Sequence, residues 1–206
     1  MKVSTKKRIA KQEMPDRIVR FGDYTRNNAV PLMFIDSFLP GHHRLNYAVI
    51  GDTASENPDF KSMLTQPHRF QIGMFKAMPD GNGPAYHTHD YVEIFLPLEG
   101  KWRFYWGNDP EAKPEGEVIL EKWDLISFPP KLWRGLENID TQPAWCLAVL
   151  EEHKGFEGKD PYWAPSVVRK AKENGFEADE NGKMIKPPNF EELNEMMLDK
   201  MYQAGS

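Results

Sequence analysis

Between His68 and Glu152 the chain alternates short apolar runs with clusters of turn-forming residues. "HRFQIGMFKA", "KWRFYWG" and "AWCLAVLEE" stand among "PDGNGP", "PLEG", "GNDPEAKPEG", "FPP" and "NIDTQP". Short strands at such regular spacing predict a mainly β sandwich or small barrel. The first 65 residues read differently, with apolar segments such as "AVPLMFIDSFLPGHH" and "LNYAVIG" broken by Pro, Gly and Asn, as expected of covering strands and loops. Helical text begins only after Pro165. In "PSVVRKAKENG", Ser166 is placed to cap a helix and Gly175 to end it. In "NFEELNEMMLDKMY", Asn189 and Glu192 form a capping-box pattern, and Phe190, Leu193, Met197 and Met201 fall on one helical face. The pattern divides the chain into an N-terminal arm with covering strands (1–67), a barrel core (68–153) and a C-terminal helical extension (154–206).

A length of 206 residues suits one core. With 26 basic and 31 acidic residues and no long basic stripe, there is little electrostatic reason to bind nucleic acid, and "KKR" at 6–8 reads as a solvated arm. No apolar run reaches membrane-spanning length, and "MKVSTKKRIAKQEMPDR" lacks the apolar centre of a signal peptide, so a cytoplasmic protein with no membrane association is expected. Cys146 is the single cysteine; inside "AWCLAVL" it reads as a small buried hydrophobe.

The chemistry concentrates in "GPAYHTHDYVEIF" (83–95). Side chains alternate along an extended strand, so the odd-numbered His87, His89 and Glu93 can face one side. Two neutral imidazoles and a carboxylate suit a divalent first-row metal and leave coordination positions open. A structural zinc site, by contrast, is normally closed by four protein ligands.

The spacing from Gly81 through His87, His89 and Glu93 to Gly100 resembles the first motif of the cupin superfamily, and "DLISFPPKLWRGLEN" resembles the second, with Asp124, Pro129 and Asn138 at its offsets. The resemblance implies a cupin barrel, the double-stranded β-helix or jelly roll, flanked here by a strand-rich N-terminal arm and C-terminal helices. It also implies His87, His89 and Glu93 as metal ligands. Two positions depart from the pattern: Lys131 stands where it has glycine and Arg134 where it has the remaining metal-binding histidine. A guanidinium offers only donors and cannot replace a ligand. Arg134 is thus expected either to clamp an anionic substrate beside a three-ligand metal or to turn away toward Glu137 or Asp124.

Tyr86 and Tyr91 flank the ligands, and Trp102 and Trp133 are candidate walls of an organic-substrate pocket. His68 and His153 are candidate substitute ligands, while His42 and His43, in "PGHHR", are expected at the surface. The resemblance leaves several functions open. The leading expectation is an Fe(II) dioxygenase acting on a small anionic or oxygen-chelating substrate such as a dicarbonyl, hydroxy-aromatic acid or 2-oxo acid. In it Glu93 sets the metal's charge and Arg134 clamps the substrate. The alternatives are a redox-neutral isomerase or lyase using Mn, Ni or Zn, and a ligand-binding cupin without turnover. A homodimer is expected from the sheet edges such barrels present.

Overall fold

A computed structural model describes residues 9–51, 55–151, 160–180 and 182–203, with the side chain of Asp36 set aside. The "KKR" arm and His153 lie outside the described residues.

Among the described residues ten strands form two five-stranded sheets, and the strands pair antiparallel. They are β1 (Arg44–Ile50), β2 (Phe70–Ala77), β3 (His87–Thr88), β4 (Glu93–Pro97), β5 (Lys101–Gly107), β6 (Gly116–Glu121), β7 (Ile126–Phe128), β8 (Trp133–Asn138), β9 (Ala144–Glu151) and β10 (Tyr162–Trp163). One sheet runs β1-β2-β9-β4-β7 and the other β10-β3-β8-β5-β6. Consecutive strands thus swap sheets repeatedly, which is the double-stranded β-helix of a cupin barrel.

The inner faces meet through aromatic side chains. Phe75 of one sheet packs edge-on against Trp102 of the other at 5.6 Å between ring centres, and Phe95 lies 5.8 Å from Phe104. β5 follows its alternation, with Trp102 and Phe104 fully buried, while β6, at the edge of its sheet, has none of its residues fully buried.

Several motif positions serve this scaffold. Gly81 and Gly100, which bound the first motif, have φ of +85° and +70°, and a Cβ on Gly100 would stand 2.7 Å from that of Ala144. Asn138 is fully buried and bridges loops, donating to the carbonyls of Gln142 (2.8 Å) and Met78 (3.2 Å). Lys131 adopts φ +65°, the left-handed backbone that glycine would take without strain, and its N–H donates to the His89 carbonyl at 2.7 Å. The turn therefore survives the glycine-to-lysine departure.

Four short 3-10 turns precede α1 (Phe34–Phe38), and α2 (Pro165–Glu173) and α3 (Phe190–Gln203) follow the barrel. The flanking thirds meet both sheets, α1 and α3 lying against β1 and β10 extending the other sheet beside β3. Helix α2 starts two residues earlier than Ser166 would cap it: Ala164 is the cap and Pro165 the first helical residue, a position suited to proline's fixed φ and missing N–H. Gly175 follows its end with φ +85°. Along α3, Phe190, Met197 and Met201 are buried as the stripe predicts, and Leu198 joins them. Phe190 packs edge-on against Phe34 and Phe38 at 5.7 and 5.8 Å, so the stripe's partner includes α1. His42 and His43 are half-buried rather than exposed, because the turn at Gly83 and Lys200 of α3 close over them.

The carboxylate of Glu56, itself buried, ties three distant segments together. It accepts from the backbone N–H of Phe34 (3.1 Å) and Met184 (3.2 Å) and from the indole N–H of Trp163 (2.7 Å). No helix among the described residues is long and apolar enough to cross a membrane.

Candidate metal centre

His87, His89 and Glu93 come together, but not by the alternation of one strand. β3 belongs to one sheet and β4 to the other, and the chain crosses between the sheets over residues 89–92. That crossing is what lets His87 and Glu93, from different sheets, face one point in the interior. All three are buried, and their ligand atoms lie within 4.8 Å of one another.

Hydrogen bonds place a proton on Nδ1 of both rings. His87 Nδ1 stands 2.6 Å from the carbonyl of Ala85, which can only accept, so the proton is on Nδ1 and Nε2 presents its lone pair. His89 Nδ1 donates in the same way to the carboxylate of Asp160. The two Nε2 atoms face Glu93 Oε2 at 3.8 and 3.6 Å, beyond hydrogen-bonding distance. Two imidazole nitrogens and a carboxylate oxygen thus converge on one spot, with their ligand atoms within 4.8 Å of one another. The donor set therefore fits a divalent metal, as the residue types suggested.

Arg134 is fully buried and sits directly across from His87 in the β3–β8 register. It turns to neither Glu137 nor Asp124: Glu137 pairs with Arg103 at 2.8 Å, and Asp124 accepts from the Glu121 N–H at 2.9 Å. Instead Arg134 donates to Glu93 Oε2 through Nε (3.1 Å) and Nη2 (2.9 Å), and through Nη1 to the Leu132 carbonyl (3.1 Å). Burial by itself would raise the Glu93 carboxyl, but the Arg134 guanidinium, seconded by the two histidines, outweighs it and holds the group well below the usual carboxylate range. The buried His87 imidazole is pushed down chiefly by desolvation, which favours the neutral, ligating form.

Asp160 has no signal in the sequence analysis. It reaches the centre because β10 returns to pair with β3, 71 residues from His89 in sequence. Its second oxygen accepts from the Tyr91 hydroxyl, and the Tyr91 ring stacks on His89 at 4.8 Å and 16°. Tyr91 thus buttresses a candidate ligand. Burial and the Asp160 charge push its phenol far up, so the hydroxyl keeps its proton.

The centre opens on a cavity of about 80 Å³. Its polar lining is Arg44, Asn46, His87, His89 and Glu93, and its apolar walls include Phe75, Phe95 and Trp163. Arg44 and Asn46 are further residues that the sequence analysis passed over.

Tyr86, Trp102 and Trp133 do not line this cavity. Tyr86 and Trp133 neighbour His87 and Arg134 in sequence and so face the other side of their sheet. There Tyr86 stacks on Tyr105 at 5.8 Å, and Trp133 lines an outer groove with Lys131 and Tyr162. Trp102 is core, its indole donating to the Glu99 carbonyl at 2.9 Å. His68 lines a separate groove with Phe60 and Gln71, its Nδ1 2.6 Å from the Gln66 carbonyl, and is not among the residues gathered at the centre. Cys146 is fully buried and its thiol is pushed well up by desolvation, in keeping with a packing role.

A strand-swapping β fold with an inward-facing His-His-Glu group has the architecture of a cupin barrel and holds a candidate metal centre. No family model matches the chain, and no curated protein matches it. Solved structures do. A cupin superfamily protein from Desulfitobacterium hafniense is 15% identical over 53% of this chain and 78% of its own, with a TM-score of 0.38. A protein from Acidithiobacillus ferrooxidans, provisionally named a sugar phosphate isomerase, is 18% identical over 68% of this chain and 78% of its own, with a TM-score of 0.48. A DMSP lyase is 18% identical over 68% of this chain and 58% of its own, with a TM-score of 0.43. These likenesses are partial; the strand order of the chain itself carries the fold assignment.

Proposed function

We propose that this chain is a metal-dependent cupin enzyme, with His87, His89 and Glu93 holding a divalent metal, Fe(II) foremost, and that it acts as a dioxygenase on a small oxygen-chelating substrate. The observation that supports it is the pair of Nε2 lone pairs, fixed by Ala85 and Asp160, directed at the ionised Glu93. Bound there, the metal supplies Lewis acidity and, as iron, access to dioxygen. The surrounding residues keep it usable. Asp160 orients His89, Arg134 keeps Glu93 deprotonated and in place, and the apolar walls limit entry of water.

A redox-neutral isomerase or lyase is the second reading, since a divalent metal at the same His-His-Glu group would by itself stabilise a developing enolate. Metal analysis of the purified chain, followed by oxygen-electrode assays with small 2-oxo acids and dicarbonyls, tests the proposal. One metal per chain, lost in a folded His89→Ala variant, and substrate-dependent oxygen uptake are expected. Turnover with no oxygen uptake moves the assignment to the second reading, and full metal occupancy in His87→Ala/Glu93→Ala refutes the centre.

A further inference from the structure

A second recess lies apart from the metal centre. The connection from β1 to β2 forms a groove of about 510 Å³, lined among others by Phe60, Gln66, His68, Phe70 and Gln71. It shares no lining residue with the metal cavity, although Gln71 pairs in register with Leu150, which lines that cavity. Gln71 is 4% exposed, and its Oε1 and that of Gln66 are buried acceptors with no hydrogen-bond partner among the described residues. Buried polar groups are nearly always satisfied, so two of them on one groove call for donors from what fills it. The stem of Gln71 is packed against Gly51, where a Cβ would stand 3.2 Å from its Cγ, which leaves the amide little room to turn toward a partner elsewhere.

His68 adds a third acceptor. Its Nδ1 stands 2.6 Å from the Gln66 carbonyl, which can only accept, so in the neutral ring the proton is on Nδ1 and Nε2 keeps its lone pair. The apolar part of the lining is incompletely covered: Phe70 is 40% exposed, its ring 5.5 Å from that of His68, and Phe60 is half-buried. Charge narrows the occupant further. No carboxylate is among the described lining residues, so a cation finds no counter-charge, and three acceptors oppose an anion despite the exposed Lys61. A neutral molecule that donates hydrogen bonds and presents a flat apolar face fits what remains.

We infer that the groove is a binding site for a neutral hydroxy-aromatic molecule, its ring against Phe60 and Phe70 and its hydroxyls donating to Gln71 and Gln66. The phenolic O–H is a neutral donor that brings an apolar ring with it, which meets both halves of the lining at once. The site does not rest on the metal-enzyme reading, because none of its residues belongs to the metal centre.

Calorimetric titration of resorcinol into the full chain, with chelator present, tests this against the dimethyl ether of resorcinol, which keeps the ring but can only accept. Resorcinol is expected to bind at least about tenfold more tightly than the ether, a comparison that needs no variant to fold. Gln71→Leu, close in size but without the amide, is expected to weaken resorcinol about tenfold. Because that amide is unsatisfied in the free chain, the same variant is expected to melt no lower than the parent. Phe70→Ala, at an exposed position, is expected to weaken resorcinol severalfold. No binding of resorcinol at millimolar concentration, equal or tighter binding of the ether, unchanged resorcinol affinity in either variant, or a lower melting temperature of Gln71→Leu would each overturn the inference.

Discussion

Replacing Arg134 with glutamine removes the buried counter-charge of Glu93 while keeping a polar side chain of moderate length. The N···O separations of 2.9 and 3.1 Å place the two charge centres about 4 Å apart. At an effective dielectric constant near 20 such a pair interacts by about 4 kcal/mol. Stranding one partner of a buried pair typically costs about 3–5 kcal/mol, so the two routes agree on the metal-free protein. A divalent ion among His87, His89 and Glu93 would itself compensate the carboxylate, so with metal present the cost is expected to fall by roughly half. Reciprocity then requires the variant to bind metal more tightly by the same difference, about 2 kcal/mol or roughly thirtyfold. Urea denaturation at neutral pH, with a chelator and with saturating Zn(II), measures both costs, and metal titration checks the linkage. Equal destabilisation with and without metal, or weaker metal binding by the variant, would refute the reasoning. Arg134→His sharpens the comparison. Because residue 134 faces His87 across the strand pair, an imidazole there adds a ligand as well as removing the charge, and metal affinity should exceed even that of Arg134→Gln.

Asp160→Asn removes the carboxylate that fixes the His89 tautomer; metal affinity is expected to fall about 10- to 100-fold by titration, with the fold intact by circular dichroism. His87 and Glu93 both have folded-state pKa values below their unfolded ones, so the unfolded chain binds more protons and stability must rise with pH and be lost as pH falls. The His87 contribution is complete above about pH 6.5 and declines below it, and the Glu93 contribution begins to go below about pH 4.3; in chelated protein, thermal melts that stay flat from pH 7 to 4 would contradict this. A homodimer is expected from the exposed Ile119, Trp123 and Leu125 around the β6–β7 edge, and a monomeric mass in sedimentation at micromolar concentration would count against it.

What could be read from the sequence was what is local or periodic. The barrel strands, the stripe on α3 and the His87, His89 and Glu93 set all announce themselves within a dozen residues. Partnerships across the fold do not. The departure at Arg134 was visible, yet its choice of Glu93 over Glu137 depends on which sheet each strand joins. Asp160 reaches His89 only through the late pairing of β10 with β3. Arg44 stood at the head of a strand read as cover, where a charge ordinarily meets solvent; the N-terminal third and α3 pack around that strand and place the arginine inside. Tyr86 flanks His87 in sequence and Trp133 reads as an aromatic pocket wall, but strand alternation sets Tyr86 against Tyr105 and Trp133 in an outer groove.

The three bonds to Glu56 have a consequence for how this site could change over time. Trp163, whose indole is one of the three donors, packs its ring 5.8 Å from His87 and forms part of the cavity wall. The other donors come from α1, in the N-terminal third, and from Met184, in the C-terminal one. A single acidic residue thus ties the chamber's wall to both flanks, so that a shift in either appendage is passed to the ring beside the candidate ligand. Variation in parts of the chain that carry none of the chemistry could on this account retune the dimensions of the chamber while the histidines and glutamate stay as they are.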